Sequence, residues 1–235
     1  MKPIGKLYGV GVGPGDPELI TVKAVRIIKT ADIIFTAASP KNVYSLAVEI
    51  AAPYIPEKAR VEKLFFPMTK DPEKTHTAWL ENAKMIKKEL EQGHAAVFLT
   101  LGDPTTYSTF GYILKKMSLI MPHADIETIP GITSFHAASA RMNRTLVEGE
   151  QSLLITSGAF GGEPLRQSGA VENVAIVKAY KNIIDINRAL KETGLDRNSI
   201  AISHCSRENE EIIENITDLE HRTPEYWTLI LASRN

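Results

Sequence analysis

The sequence predicts an α/β protein in two domains, 1–146 and 147–235, and three observations carry that reading. Short apolar runs alternate with segments of helical period through the first half, the pattern of parallel strands joined by crossover helices. Three of those runs end in loops rich in Gly, Pro and Asp, at residues 9–16, 102–104 and 130–133. Between residues 143 and 151 the chain turns polar, which places a domain boundary before a second set of apolar runs.

Taken in order, residues 7–12 read as a buried strand ending in the first loop. Ile20, Ala24, Ile27 and Ile28 then recur at helical spacing, with Thr21 as N-cap. Residues 33–35 form a short strand, and Tyr44, Ala47 and Ile50 mark a helix stopped before Pro53. A strand at 63–66 ends at Pro67. The longest helix signal follows, with Trp79, Ala83, Ile86 and Leu90 on one face and Gly93 closing it. Residues 95–101 are apolar on both faces, as a central parallel strand must be. A helix over 108–116, a strand over 126–129 and a small-residue helix over 133–141 complete the first half. Beyond the polar stretch, strands are expected at 152–156, 174–177, 200–203 and 227–231, with a helix carrying Ile183, Ile186 and Leu190. The segment 157–169, with Gly158, Gly161, Gly162, Pro164 and Gly169, reads as a mobile loop.

Composition narrows the function classes. With 27 basic against 28 acidic side chains the formal net charge is −1, so no overall field recruits nucleic acid or an anionic membrane. The lone Cys205 excludes an internal disulfide and fits a reducing compartment. No apolar run approaches a membrane span and the N-terminus lacks a signal-peptide core, so a cytoplasmic protein is expected.

The first loop, Gly9-Val10-Gly11-Val12-Gly13-Pro14-Gly15-Asp16, invites a dinucleotide reading, which its spacing refutes. That fingerprint needs glycines at places one, three and six. Counting from Gly9, Gly11 or Gly13, the sixth place holds Pro14, Asp16 or Glu18. Asp32, the acid at about the required distance, begins an apolar run instead of ending one. In open α/β sheets ligands bind at the carboxyl ends of strands, so three special loops on that edge point to one site.

With those loops in hand, the chain resembles the tetrapyrrole methylases, which methylate corrin and sirohaem precursors from S-adenosylmethionine. The segments GVGVGPGDPELITVKA (9–24), LGDPTTYSTFGYI (101–113) and PGITSFHAASA (130–140) carry the likeness, in the family's order and spacing. FFPMTKDPEKTHTAW (65–79) and GDPTTYSTF resemble the branch acting at C20 of precorrin-2 or its cobalt-loaded counterpart. The resemblance implies two α/β domains, a parallel-rich N-terminal sheet and a mixed C-terminal one, with the cofactor folded in a cleft between them. It also implies a homodimer and a tetrapyrrole substrate. Carried over by motif position, Pro14, Leu101, Gly102, Asp103, Thr106, Thr133, Ser134 and Val177 are the cofactor-binding residues. Asp16 and Tyr107 are the candidates for work on the acceptor, and no metal is required. The alternatives are another tetrapyrrole methylase, such as the uroporphyrinogen III enzyme or a later corrin methylase, or a non-catalytic nucleotide-binding regulatory module.

Each residue also has a plainer reading. Asp103 could be a turn acid, and Asp16 a turn cap. Tyr107 and Tyr112 fit core or rim positions, Trp79 a core position, and His136 a satisfied core histidine. Arg141, Arg144 and Lys178 could meet the acidic side arms of a tetrapyrrole or simply be solvated charges. The adjacent His204 and Cys205 are not at metal-ligand spacing.

Overall fold

A computed structural model describes residues 3–38, 45–69, 71–223 and 225–234. The chain divides into two compact units, Met1–Thr133 and Ser134–Asn235. The first is a five-stranded sheet: β1 (Leu7–Gly11), β2 (Ile33–Ala38), β3 (Arg60–Phe65), β4 (Ala96–Thr100) and β5 (Ile126–Ile129). Its order is β3-β2-β4-β1-β5, and all four pairings are parallel. β1 therefore lies between β4 and β5, and the three loops after these strands emerge side by side at one edge.

The helices form where the sequence supplies a cap and an apolar stripe. α1 (Val22–Ile28) begins at Thr21, whose hydroxyl accepts the Ala24 N–H at 3.2 Å. α2 (Leu46–Ala51) contains Ala47 and Ile50, while Tyr44 lies outside the described residues. α3 (Pro72–Glu91) starts with Asp71 accepting from the Glu73 and Lys74 N–H groups and Pro72 at the first helical position. It stops as Gly93 takes φ +84°. α4 (Phe110–Ile120) follows β4, running four residues beyond the expected end at 116. Strand alternation then sorts the core into two layers. Leu7, Phe35 and Phe98 face Ile86, Leu90, Phe110 and Ile113 of α3 and α4. Val10, Ile34, Val97 and Leu99 face Ala24, Ile28 and Ile50 of α1 and α2. Asp32 sits just before β2, at the edge opposite the loops, where it accepts the Ala95 N–H at 2.9 Å. That position bears out the rejection of a ribose-binding role.

The second unit opens with α5 (Ser134–Arg141), which packs on β7 (Asn173–Val177) and β10 (Thr228–Ser233). The division between the units thus falls before α5 in the chain, whereas the polar stretch follows it. With β6 (Leu153–Ser157), β8 (Asn198–Ser203) and β9 (Glu211–Ile213), the sheet order is β6-β7-β10-β8-β9. Only β6 and β7 are parallel, and the other pairings are antiparallel, so this sheet is mixed. Its core gathers Val174, Ile176, Ala201 and Ile230 against Ile186 and Leu190 of α7 (Ile183–Thr193).

The segment read as a mobile loop, 157–169, is built instead of one 3-10 turn, Gly158–Phe160, and a short helix, α6 (Glu163–Gln167). Gly161 and Gly162 leave no room for a side chain, because a Cβ there would lie 2.5 Å from Asp185 Oδ2 and 2.4 Å from the Ala189 Cβ. Asp185 accepts the Gly162 N–H at 2.7 Å and pairs with Arg166 at 2.8 Å. Arg166 and the Gly162 N–H together hold the Asp185 carboxyl below its ordinary range. The glycines serve close packing onto α7, a use that composition alone does not reveal.

Gly9 illustrates the same point in the first sheet. A Cβ built on it would fall 2.1 Å from Cε1 of Phe110, so α4 seats its ring in the space the missing side chain leaves. Ala in a strand normally outdoes Gly through lower chain entropy. Here Gly9→Ala is expected to destabilise by about 1–3 kcal/mol through overpacking, read as a lower urea midpoint at unchanged slope. In a Phe110→Leu background the loss should shrink, because the two positions share one space.

Candidate active site

The first two of the three loops at the carboxyl edge of the first sheet are joined backbone to backbone. Gly13 N–H donates to the Gly102 carbonyl at 3.3 Å, and Gly102 N–H returns the bond to Gly13 at 2.7 Å. Both glycines have positive φ, +79° and +68°. A Cβ on Gly11 would sit 2.4 Å from the Gly102 carbonyl oxygen, and one on Gly131 would sit 2.1 Å from that same atom. Gly11 and Gly131 are thus required for the loops to approach one another, not to admit a ligand. Gly102 differs: a Cβ there would meet nothing nearer than the Ile132 carbonyl oxygen at 3.9 Å.

Asp103 closes the junction. Its side chain is 8% exposed at the end of the doubly buried β4. Oδ2 accepts the Gly131 N–H at 3.0 Å, and Oδ1 accepts the Thr105 N–H at 2.8 Å and the Thr105 hydroxyl. One carboxylate therefore holds its own turn and ties the second loop to the third. A carboxylate offers about four acceptor sites, so three protein donors leave capacity for one more. The turn-acid reading is correct, and it does not consume the group.

The other candidates fall around this junction or in the second unit. Pro14 is buried, while Leu101, Thr106 and Thr133 are half-buried. Ser134 is the first residue of α5, and Val177 ends β7 at 9% exposure. Asp16 caps the 3-10 turn Pro17–Leu19 by accepting the Glu18 N–H at 2.8 Å through Oδ1. Its Oδ2 meets no protein donor among the described residues. Tyr107 adopts φ +50°, left-handed for a residue with a side chain, at a cost of about 1–2 kcal/mol. Strain of this kind gathers at functional sites. Tyr107 remains 49% exposed, and partial burial of its ring raises the phenol above its usual range. At neutral pH it is a hydrogen-bond donor and not a base.

Arg141 pairs with Glu210 at 2.6 Å, and Arg144 donates to the Asn198 carbonyl and to Ser233 Oγ at 2.7 Å. Both are thus tied within the second unit, Arg141 as a solvent-exposed charge paired with Glu210 and Arg144 as a half-buried one. Burial pushes the Cys205 thiol up, away from thiolate reactivity. Among the described residues no three His, Cys, Asp or Glu side chains are grouped to hold a metal ion. A cavity of about 40 Å³ in the second unit, lined in part by Ala179, Ile183, Ile213 and Arg222, contains none of the candidates. It has room for only a few waters. The loop junction thus brings together one carboxylate with remaining acceptor capacity, the Thr106 and Thr133 side chains nearby, and a wall without a side chain at Gly102.

Residues 6–220 match the family of tetrapyrrole (corrin/porphyrin) methylases. A probable cobalt-precorrin-2 C(20)-methyltransferase of Methanocaldococcus jannaschii is 42% identical over 154 residues, covering 66% of this chain and 64% of that protein. The cobalt-precorrin-2 C(20)-methyltransferase of Salmonella typhimurium is 31% identical over 98% of this chain and 97% of its own length. Among solved structures, a cobalt precorrin-4 methyltransferase superposes with TM-score 0.74 at 21% identity, covering 97% of this chain and 94% of that one. The uroporphyrin-III C-methyl transferase of Thermus thermophilus complexed with S-adenyl homocysteine gives 0.69 at 20% identity, covering 97% and 92%. These structural likenesses establish the fold.

Replacing Asp103 tests the junction. Asp103→Ala is expected to destabilise the protein by about 1–3 kcal/mol, because the part-buried N–H groups of Thr105 and Gly131 lose their acceptor. Asp103→Asn should cost nearly as much, since its NH2 group must face one of those donors. Denaturant titration reads both, and an Asn variant of wild-type stability would remove the clamp role.

Proposed function

We propose, since the chain belongs to the tetrapyrrole (corrin/porphyrin) methylase family, that it transfers a methyl group from S-adenosylmethionine to C20 of precorrin-2 or its cobalt-loaded form, in cobalamin biosynthesis. The observation that carries this reading is the pair of C20-methyltransferase relatives at 42% and 31% identity, the second aligned over nearly the whole of both chains.

The donor is a sulfonium whose methyl group is open to in-line attack by a nucleophilic ring carbon, with the S–C electron pair returning to sulfur. The residues of the loop junction suit such a molecule. Asp103 has one acceptor site left for a ribose hydroxyl or the ammonium, and buried charge-assisted bonds of this kind are the stronger ones. Gly102 presents backbone without a Cβ, and Pro14 and Leu101 add apolar surface. Thr106, Thr133 and Ser134 supply hydroxyls, and the assignment of Val177 rests on the resemblance. The work is alignment and exclusion of water, which needs no strong acid, base or metal.

Asp16 and Tyr107 are assigned to the acceptor. Asp16, with Oδ2 uncommitted, takes the proton that leaves C20 when the C–C bond forms. Tyr107, held protonated, donates a hydrogen bond to the macrocycle. The protein is further assigned to the cytoplasm, as a homodimer without nucleic acid or membrane partners. The lone cysteine supports the compartment and the net charge of −1 the absence of nucleic acid, while the homodimer rests on the family resemblance.

Two measurements test the proposal. S-adenosylhomocysteine should raise the unfolding temperature and NADH should not, by an amount equivalent to about 2.7 kcal/mol at a hundredfold excess over Kd. Incubation of metal-free or cobalt-loaded dipyrrocorphin with the donor should add one methyl group by mass. Methylation of a different tetrapyrrole in place of these two would overturn the C20 assignment.

A further inference from the structure

The crossover helices of the first sheet run opposite to its strands, so the N-terminal ends of α3 and α4 lie at the edge that carries the three loops. The two helices are parallel neighbours: Trp79 meets Tyr112, and eight residues on Lys87 Nζ reaches the Ile120 carbonyl at 3.2 Å. At their N-terminal ends four side chains form a cluster that methyl transfer, as described above, does not use. Trp79 and Tyr112 stack with ring centroids 3.9 Å apart and planes 5° from parallel. Lys116 Nζ lies 2.8 Å from His76 Nδ1.

Lys116 is the unusual member. It is 8% exposed, yet its nitrogen meets only the His76 ring and no carboxylate among the described residues. Burying an ammonium costs several kcal/mol unless an anion and further hydrogen bonds offset it. An imidazole nitrogen is a neutral acceptor for one of three N–H donors. The site thus holds a cation with donors to spare, at the mouth of an exposed histidine. Beside it stands an aromatic pair whose outer member, Tyr112, is 39% exposed. Tyr112 is the third residue of α4, and so lies about 3 Å along the axis from the start of that helix, which follows the second loop.

We propose that Lys116 and His76 receive a carboxylate side arm of the tetrapyrrole acceptor, with the Trp79–Tyr112 stack as a shelf beside the macrocycle. This rests on the methylase reading above. A macrocycle fringed with acidic arms supplies the missing anion, and a conjugated plane suits the exposed face of Tyr112. The cluster would then set which acceptor is held and in what orientation, without touching the methyl donor.

The test uses the whole enzyme with dipyrrocorphin and S-adenosylmethionine. Lys116→Met keeps the stem and removes the charge. It should raise KM for the tetrapyrrole about tenfold, leave kcat within about twofold and leave S-adenosylhomocysteine affinity unchanged, as expected when uniform binding is lost. Lys116→Arg should restore most of the affinity. Tyr112→Ala, at an exposed position, should raise the same KM about fivefold, and it decides the question if Lys116→Met does not fold. Unchanged KM in a folded Lys116→Met variant overturns the proposal. So does a loss of S-adenosylhomocysteine affinity in place of tetrapyrrole affinity, which would make the anion the donor's own carboxylate. A wild-type enzyme that binds S-adenosylhomocysteine but methylates no tetrapyrrole would instead overturn the parent reading, and this inference with it.

Discussion

Asp103 accepts three hydrogen bonds, from Gly131 N–H, Thr105 N–H and the Thr105 hydroxyl, while 8% exposed. Those bonds fix where the loops after β4 and β5 stand. The reciprocal Gly13–Gly102 bonds bring in the loop after β1. Everything at the carboxyl edge of the first sheet depends on that junction, because the strands deliver three chain ends but do not by themselves hold their continuations together. The parallel order, with β1 between β4 and β5, makes the junction possible. The absence of side chains at Gly11 and Gly131 makes it tight.

A junction closed in this way has a consequence for chemistry. Most of its polar capacity is spent on itself, so among the described residues it leaves one acceptor site of Asp103 and Oδ2 of Asp16. That inventory is poor for acid–base or covalent catalysis and adequate for holding a reactive small molecule in line with its target. The fold therefore fits a reaction whose driving force comes with the donor. In the proposed reaction the protein would contribute position and dryness, and the left-handed Tyr107 is where the second loop is most distorted.

The second unit is organised differently. Arg144 ties the end of α5 to the Asn198 carbonyl and Ser233 Oγ, at the start of β8 and the end of β10. Glu210 accepts from both Arg141 and the Ser206 N–H, which links α5 to the turn after β8. These bonds explain why α5 belongs with this sheet although it directly continues the third loop. Residues read as free charges in the sequence are the ones that attach the helix.

The sequence by itself determined the family, the alternation of strands and helices, the three loops at one edge and the failure of the dinucleotide spacing. Periodicity, caps such as Thr21 and Asp71, and glycine spacing are local, so they are visible along the chain. It missed β9, three residues long, and α6, five residues long, because neither is long enough to show a period. Only the tertiary structure decided what the special residues do. Gly9 seats Phe110, Gly161 and Gly162 pack on α7, and Asp103 reaches across 28 positions to Gly131. The Lys116–His76 pair spans 40 positions. Each of these rests on a partner brought near by the packing of sheets and helices, and separation along the chain carries no trace of it.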